Sequence, residues 1–456
     1  MKRIGRRARI LIVVALYFAA CSGVFLYRYT VGASDWVAYP ANRNVFDRSS
    51  ALIRPSAILS GDGTALFVAD KSGSAYAKSL ELRRATLHAI GDRGDRINTG
   101  VVRNYKASLI GYDLLNGVYN PTENGTTIQL TLNAEVCRAA YNAMGNYNGT
   151  VGIMNYKTGE ILCMVSKPSF DPDREPDFNA EAYEGVFINR LTGGLYVPGS
   201  IFKLITAMAA IETIPDIFEQ QFVCKGSVSY GNDVLNCNGT HGTLDFKRAL
   251  AKSCNCAFAS IAAQLGKETL AEYAAKAGLG QSFEVSGVST IKGRFDLSKA
   301  APVELAWAGI GQYTTLVNPM QYLLFMSAVA SGGSYRTPFY VEGIQSASGL
   351  PQYFKPGGKK TSMLEESTAQ TLAEMMRNNT IVQYGDGNYS GMALCAKSGT
   401  AETSDGKPHA WFVGFLDKPE TPLAFVVILE HAGSGQSVAG PVARRALQAA
   451  VKQMAK

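Results

Sequence analysis

Ser200 and Lys203 lie three residues apart in Val197-Pro-Gly-Ser-Ile-Phe-Lys203, where a proline and a glycine give way to the helix-forming run Leu204-Ile-Thr-Ala-Met-Ala-Ala210. On a helix, three-residue spacing puts two side chains on one face. A serine hydroxyl needs a base to become a nucleophile, and a lysine can serve when desolvation or a neighbouring positive charge lowers its pKa. The start of a helix also favours negative charge developing on a substrate oxygen. Alone, Ser-x-x-Lys is a weak signal, since an N-cap serine has the same surroundings. Two other copies, Ser289-Thr-Ile-Lys292 and Ser404-Asp-Gly-Lys407, fall in turn-like sequence and read as surface structure.

Two further elements follow in order. Ser253-Cys-Asn255 is the only Ser-x-Asn in the chain. It can set a proton-relaying hydroxyl beside a carboxamide that both donates to and accepts from a peptide. Lys397-Ser-Gly-Thr400 follows the strand-like Met392-Ala-Leu-Cys395. There Lys397 supplies positive charge, Gly399 allows close approach, Thr400 offers a hydroxyl to a carboxylate, and the strand can pair with an extended peptide. Each element alone fits an ordinary helix start or strand end. Lys71-Ser-Gly73 and Lys157-Thr-Gly159 are decoys for the third, because both precede Ser200. The four histidines, His88, His241, His409 and His431, are read as ordinary structure, because no Gly-x-Ser-x-Gly turn marks a serine for any of them.

The elements that must position these groups are partly legible. The chain has 456 residues, 46% hydrophobic and 18% charged, enough for two or three units with substantial cores. Five of its seven net positive charges lie in the first nine residues, as Lys2, Arg3, Arg6, Arg7 and Arg9. The remainder is nearly neutral, and a nucleic-acid partner is not expected. Residues 10–27 carry no charge and as a helix would span about 27 Å, near the hydrocarbon thickness of a bilayer. The basic flank should stay in the cytoplasm and the rest should be exported. A retained anchor suits the segment better than a cleaved signal, whose apolar core would be shorter, or a lipoprotein signal at Ala19-Ala20-Cys21, where Phe18 is a poor fit.

Residues 28–147 are expected to form a small mixed α/β module, with a helix near Ala85–Ile90, a strand at Thr126–Leu132, and a helix over Ala134–Met144 capped by Asn133. Residues 148–456 are expected to form the second unit. It has strands at Thr150–Asn155 and Glu160–Val165 joined by the turn Tyr156-Lys-Thr-Gly159, helices from Ser200, around Leu250–Leu265 and from Pro302, and strands at Met392–Lys397, His409–Leu416 and Leu423–Leu429. A helix from Pro441 closes the chain. Strands at both ends with helices between predict an α+β domain with an antiparallel sheet covered by helices. Among the eight cysteines, Cys224 and Cys237 flank a Gly/Ser/Asn-rich stretch, which leaves a disulfide or a pair of reduced thiols open. No CxxC spacing occurs and Cys254 and Cys256 alternate around Asn255, so no zinc site is expected.

The ordered set Ser200-x-x-Lys203, Ser253-x-Asn255, Lys397-Ser-Gly-Thr400 resembles the signature of penicillin-binding proteins and β-lactamases. Asn189-Arg190, Tyr196-Val-Pro-Gly-Ser200, Gly309-Ile-Gly-Gln312, Asn318-Pro-Met-Gln321, Trp411-Phe-Val-Gly-Phe415 and the stretch from Cys224-Lys-Gly to His241-Gly242 look like class B penicillin-binding proteins. The N-terminal module, with Gly61-Asp-Gly-Thr-Ala-Leu66 and Tyr39-Pro-Ala-Asn-Arg43, looks most like the compact penicillin-binding protein A type, and no room is expected for a glycosyltransferase domain. Departures are mild: Arg54-Pro-Ser-Ala-Ile58 stands for the more usual Arg-Gly-x-Ile, and Ser398 for threonine.

The resemblance implies a peptidoglycan D,D-transpeptidase, anchored by one span in the cytoplasmic membrane, with a pedestal and a β-lactamase-like domain outside. Ser200 would be the nucleophile, Lys203 its base and Ser253 a proton relay. Asn255, Lys397, Ser398, Gly399 and Thr400 would bind substrate, and the N–H groups of Ser200 and Thr400 would form the oxyanion hole. Stem peptides, lipid-linked precursors, β-lactam antibiotics and a separate glycosyltransferase would be its partners, with no metal or cofactor. A β-lactamase, a D,D-carboxypeptidase and a non-catalytic β-lactam sensor are the rival readings. The intact signature disfavours the sensor, and the anchor with its added module disfavours the β-lactamase.

Overall fold

In a computed structural model, residues 2–38, 56–70, 73–112, 125–346, 351–353, 358–403 and 406–455 are described. Tyr39–Arg43, Arg54, Lys71 and Ser404 of the segments named above lie outside them. Helix α1, Lys2–Ala38, begins the chain. Within its span Gly5–Ala33, 29 residues long, the most apolar 18-residue window has mean hydropathy 2.4 and none of that window is buried by the rest of the protein. The expected 10–27 span is thus the centre of a longer helix, long enough to cross a bilayer.

The N-terminal module is a six-stranded sheet in the order 351–353, Val341–Gln345, Thr126–Leu130, Ser56–Leu59, Ala65–Asp70, Gly73–Tyr76. Helix Leu80–Ile90 packs on the strand Ala65–Asp70 of this sheet, whereas helix Ala134–Ala143, whose cap Asn133 accepts the Val136 N–H at 3.0 Å, packs against Ile161–Lys167 and Gly440–Met454 of the second half. Two strands of this sheet come from the far side of the expected 147/148 boundary. Val341–Gln345 pairs antiparallel with Thr126–Leu130. The division into 28–147 and 148–456 therefore does not follow the sheet: a pairing across some two hundred residues leaves no mark on local periodicity.

The second half is built on five antiparallel strands: β1 Gly149–Asn155, β2 Ile161–Lys167, β3 Leu394–Ala401, β4 His409–Leu416 and β5 Leu423–Leu429, in the order β3-β4-β5-β1-β2. Every residue of β1 and β5 is buried, so both sheet faces are covered. That explains why β5 is a continuous apolar run rather than an alternating one. Helix Pro319–Ala330, apolar all round, and the closing helix Gly440–Met454 both pack against β5. The turn between β1 and β2 is held by Asn155, whose Oδ1 accepts the Lys157 N–H at 2.9 Å, and by Gly159 at φ 89°. β3 is left at the sheet edge, where side chains of Arg377, Asn379 and Tyr384 bond its backbone as far as Ser398 and Thr400 stays exposed.

Candidate active site

Ser200 does not open an α-helix. It sits in a 3₁₀ turn, Gly199–Ile201, and helix α2 runs from Lys203 to Thr213. The first turn is thus wound as 3₁₀ rather than α, and it starts from Gly199 in the left-handed conformation at φ 55°. A Cβ on Gly199 would stand 2.6 Å from the Thr400 carbonyl oxygen, so the turn carrying Ser200 lies directly against β3. On its other side Gly199 N donates to Gly311 O at 2.9 Å, and a Cβ on Gly311 would be 2.1 Å from Gly199 O. Trp411 Nε1 donates to Val197 O at 3.0 Å. Beneath it, Glu430 Oε1 accepts from Tyr196 Oη at 2.7 Å and from Arg190 Nε at 2.6 Å. Arg190, Tyr196, Gly311 and Trp411 all come from segments that carried the family resemblance, and each holds the turn in place.

Ser253 and Asn255 mark a break where one helix around Leu250–Leu265 was expected. Helix Phe246–Ala251 ends, three residues cross over, and helix α3 runs over Asn255–Lys276 with an interruption at Gly266. Ser253 adopts φ 53°, the left-handed conformation that non-glycine residues rarely enter. This strained break aims both side chains at α2. Lys203 Nζ lies 3.0 Å from Ser200 Oγ, 3.2 Å from Ser253 Oγ, 2.7 Å from Ser253 O and 2.7 Å from Asn255 Oδ1. Asn255 Nδ2 donates to Asn236 O at 2.9 Å, which fixes the amide's orientation.

From β3, Lys397 Nζ donates to Ser253 Oγ at 3.0 Å and to Ser398 O at 2.8 Å. Ser253 Oγ thus bridges the two amines, and the three sequence elements meet in one place. Gly399 is buried, and a Cβ there would meet Pro198 O and Ile201 Cγ2, both at 3.0 Å. Thr400 is exposed beside the turn and Ser398 half-buried. Tyr384, which sequence reasoning missed, accepts the Ser398 N–H at 2.8 Å and so steadies the edge strand.

Both lysines are fully buried. Burial, which disfavours the ammonium, pulls Lys203 down to about 7. Lys397 is held well below the usual lysine range by burial and then by the charge of Lys203. An amine at 3.0 Å from a serine hydroxyl, neutral near physiological pH, can accept its proton. Ser289 lies in a separate two-stranded hairpin with Lys292 just beyond its end, and neither is brought to this site.

No disulfide joins Cys224 to Cys237 in the structure, where each of the eight cysteines is free. Against the expectation drawn from missing CxxC spacing, Cys224, Cys237, His241 and Cys254 converge within 4.8 Å. The four come from separate strands and loops, so no compact spacing marks the cluster in the sequence. His241, expected to be ordinary structure, lies in this cluster, whereas His88 is a buried imidazole whose Nε2 lies 2.7 Å from Val186 O.

Residues 149–448 match the family described as the penicillin binding protein transpeptidase domain. Stage V sporulation protein D of Bacillus subtilis is 30% identical over 353 residues, 71% of this chain and 53% of its own length. The chain thus spans about half of that relative. Peptidoglycan D,D-transpeptidase PbpA of Mycobacterium tuberculosis is 24% identical over 78% of this chain and 79% of its own. Among solved structures, the ceftriaxone acyl-enzyme complex of penicillin-binding protein A from M. tuberculosis superposes with TM-score 0.76 at 23% identity, covering 88% of this chain and 99% of that one.

Proposed function

The chain belongs to the penicillin-binding protein transpeptidase family, and on that premise we propose that it is a membrane-anchored peptidoglycan D,D-transpeptidase working through a Ser200 acyl-enzyme. One observation carries this reading: a fully buried lysine amine, pulled to about 7, lies 3.0 Å from the Ser200 hydroxyl.

In the proposed reaction, Ser200 Oγ bonds to the carbonyl carbon of the penultimate D-alanine of a stem peptide while Lys203 Nζ takes its proton. The amide C–N bond then breaks. Ser253 Oγ, 3.2 Å from one amine and 3.0 Å from the other, passes a proton to the departing D-alanine and recovers it from them. An amine from a neighbouring strand attacks the ester, the same groups run in reverse, and Ser200 is released. Asn255 would hold the donor amide, while Lys397, Ser398, Gly399 and Thr400 would align the peptide along β3 as an added strand. The N–H groups of Ser200 and Thr400 would stabilise the oxyanion, the largest single contribution in such chemistry. The contact of Gly199 with Thr400 supports this pairing.

β-Lactams would acylate the same serine, as the named complexes of the mycobacterial protein A describe for that enzyme. Helix α1 would anchor the chain with the catalytic half outside the cytoplasm, near lipid-linked precursors and a separate glycosyltransferase. The test is incubation of the full chain in detergent with polymerised, uncross-linked glycan strands. Cross-linked dimers and one released D-alanine per link are expected. D-Alanine release without dimers would replace transpeptidation by carboxypeptidase action.

A further inference from the structure

Among the described residues, six other than glycine hold a positive φ: Asp95, Ser253, Ser286, Tyr313, Ala393 and His431. Four of them make bonds that hold the conformation. Ser253 Oγ bridges the two active-site amines. Ser286 Oγ accepts the Tyr340 N–H at 3.0 Å and the Val341 N–H at 3.1 Å. Asp95 takes Lys106 Nζ at 2.9 Å, and His431 N donates to His409 Nδ1 at 3.1 Å. Ala393 carries only a methyl. Tyr313, at φ 64°, is the bulkiest of the six, and a large side chain in this region is an outlier. Its hydroxyl makes no hydrogen bond and its ring meets no other ring among the described residues, while 36% of it is exposed. Strain without an internal partner of this kind collects at ligand sites.

Tyr313 stands beside the Ser200 turn. It follows Gly311-Gln312, and Gly311 O accepts the Gly199 N–H at 2.9 Å. Arg294 stands next to it. Arg294 N donates to Leu316 O at 2.7 Å, and Arg294 Nε donates to Thr314 O at 3.2 Å. Phe295 stacks on Phe202 of the nucleophile segment, with ring centroids 5.0 Å apart. Gly199 touches Thr400 of β3 on one side and Gly311 on the other, so Tyr313 and Arg294 lie across the turn from β3. The peptide that is cut is read above as lying along β3. The far side of Ser200 is therefore left for the peptide that receives the acyl group. Arg294 is exposed and makes no ion pair among the described residues. Asp296, two residues on, accepts the Ser298 N–H at 2.9 Å instead. The end of the Arg294 guanidinium is thus open to a carboxylate, which it can hold with two parallel bonds. The Tyr313 ring adds a flat apolar face.

We propose that Tyr313 and Arg294 bind the acceptor stem peptide: Arg294 takes its terminal carboxylate and the Tyr313 ring packs on its backbone, which brings its amine to the Ser200 ester. The inference rests on the transpeptidase reading and names what recognises the substrate of its second step. Both residues select and orient the acceptor, and neither touches the reacting atoms.

The test uses the full chain in detergent, with a small acyl-D-alanyl thioester as donor. The ester is partitioned between hydrolysis and transfer to an added stem tetrapeptide that carries the free amine. Tyr313→Asn removes the ring and keeps the backbone, since asparagine enters the left-handed region readily. It should stay folded by circular dichroism and acylate with penicillin, the first step alone, within twofold of the parent. Its kcat/KM for the tetrapeptide should fall about 10-fold, chiefly through KM, with hydrolysis taking the difference. The parent should prefer the tetrapeptide to its C-terminal carboxamide by about 10-fold, the effect of one charge-assisted hydrogen bond. Arg294→Gln should use the two equally. Equal use of the two peptides by the parent, or an unchanged KM in both variants, would overturn the acceptor site. So would a loss of penicillin acylation in Tyr313→Asn that matches its loss of transfer, because the ring would then be holding the Ser200 turn. A parent that hydrolyses the thioester and transfers it to no amine would strike the transpeptidase reading itself, and this site with it.

Discussion

Replacing Gly199 with alanine tests how the nucleophile is held. The added Cβ would stand 2.6 Å from Thr400 O, 2.9 Å from Ala401 Cα and 3.0 Å from Thr400 C, all backbone atoms of β3. Ordinary contact begins near 3.4 Å, so the turn must retreat by about 0.8 Å. The left-handed φ of 55° adds about 1–2 kcal/mol of strain for an L-residue. A retreat of that size moves Ser200 off its attack position and away from Thr400, and displacements near 1 Å cost on the order of 100-fold in rate. The assay is the second-order acylation rate with a fluorescent penicillin, read beside the unfolding midpoint. Gly63→Ala is the control, since Gly63 has φ 79° and nothing within 4 Å of its Cβ position. It should show the strain without the rate loss. A Gly199→Ala rate within twofold of the parent would refute the proposed packing of the turn on β3.

Burial lowers the Lys203 pKa to about 7, so the neutral, proton-accepting form gains as pH rises through that value, and acylation should rise with it and then level off. A flat profile from pH 6 to 9 would remove Lys203 as the base. Lys203→Ala should lower acylation by about 100- to 10,000-fold while the protein stays folded by circular dichroism. Glu430→Ala leaves Arg190, 8% exposed, without its partner and frees Tyr196, so a stability loss of about 3 kcal/mol in denaturant titration is expected. Tyr384→Phe, which removes the acceptor for the Ser398 N–H, should weaken substrate alignment along β3, seen as slower acylation with little change in the unfolding midpoint.

Much of the catalytic half could be read from the chain because its signals are local. β4 and β5 were placed by their apolar runs and the Asn133 cap by residue type. The three elements around Ser200, Ser253 and Lys397 were found by type and order, and the structure brings Ser200, Lys203, Ser253, Asn255 and Lys397 together. What escaped was long-range or conformational. The strand Val341–Gln345 joins a sheet whose other members lie far behind it in the chain. The left-handed Ser253 that splits the expected helix has no sequence mark, since neither glycine nor asparagine stands there. Tyr384 and Glu430 act through contacts made 14 and 234 residues away. The Cys/His cluster was missed because a spacing rule for compact zinc motifs was applied to side chains spread over thirty residues. The resemblance to the Cys224–Gly242 stretch held the available hint.

The central claim is that Ser200 forms a covalent acyl-enzyme. Its most direct test is intact-protein mass spectrometry of the exported part with penicillin, with peptide mapping of the adduct and Ser200→Ala in parallel. The account predicts a long-lived adduct of one penicillin mass per chain, mapped to the peptide containing Ser200 and absent from the variant. An adduct on any other residue, or one that persists in Ser200→Ala, would contradict it.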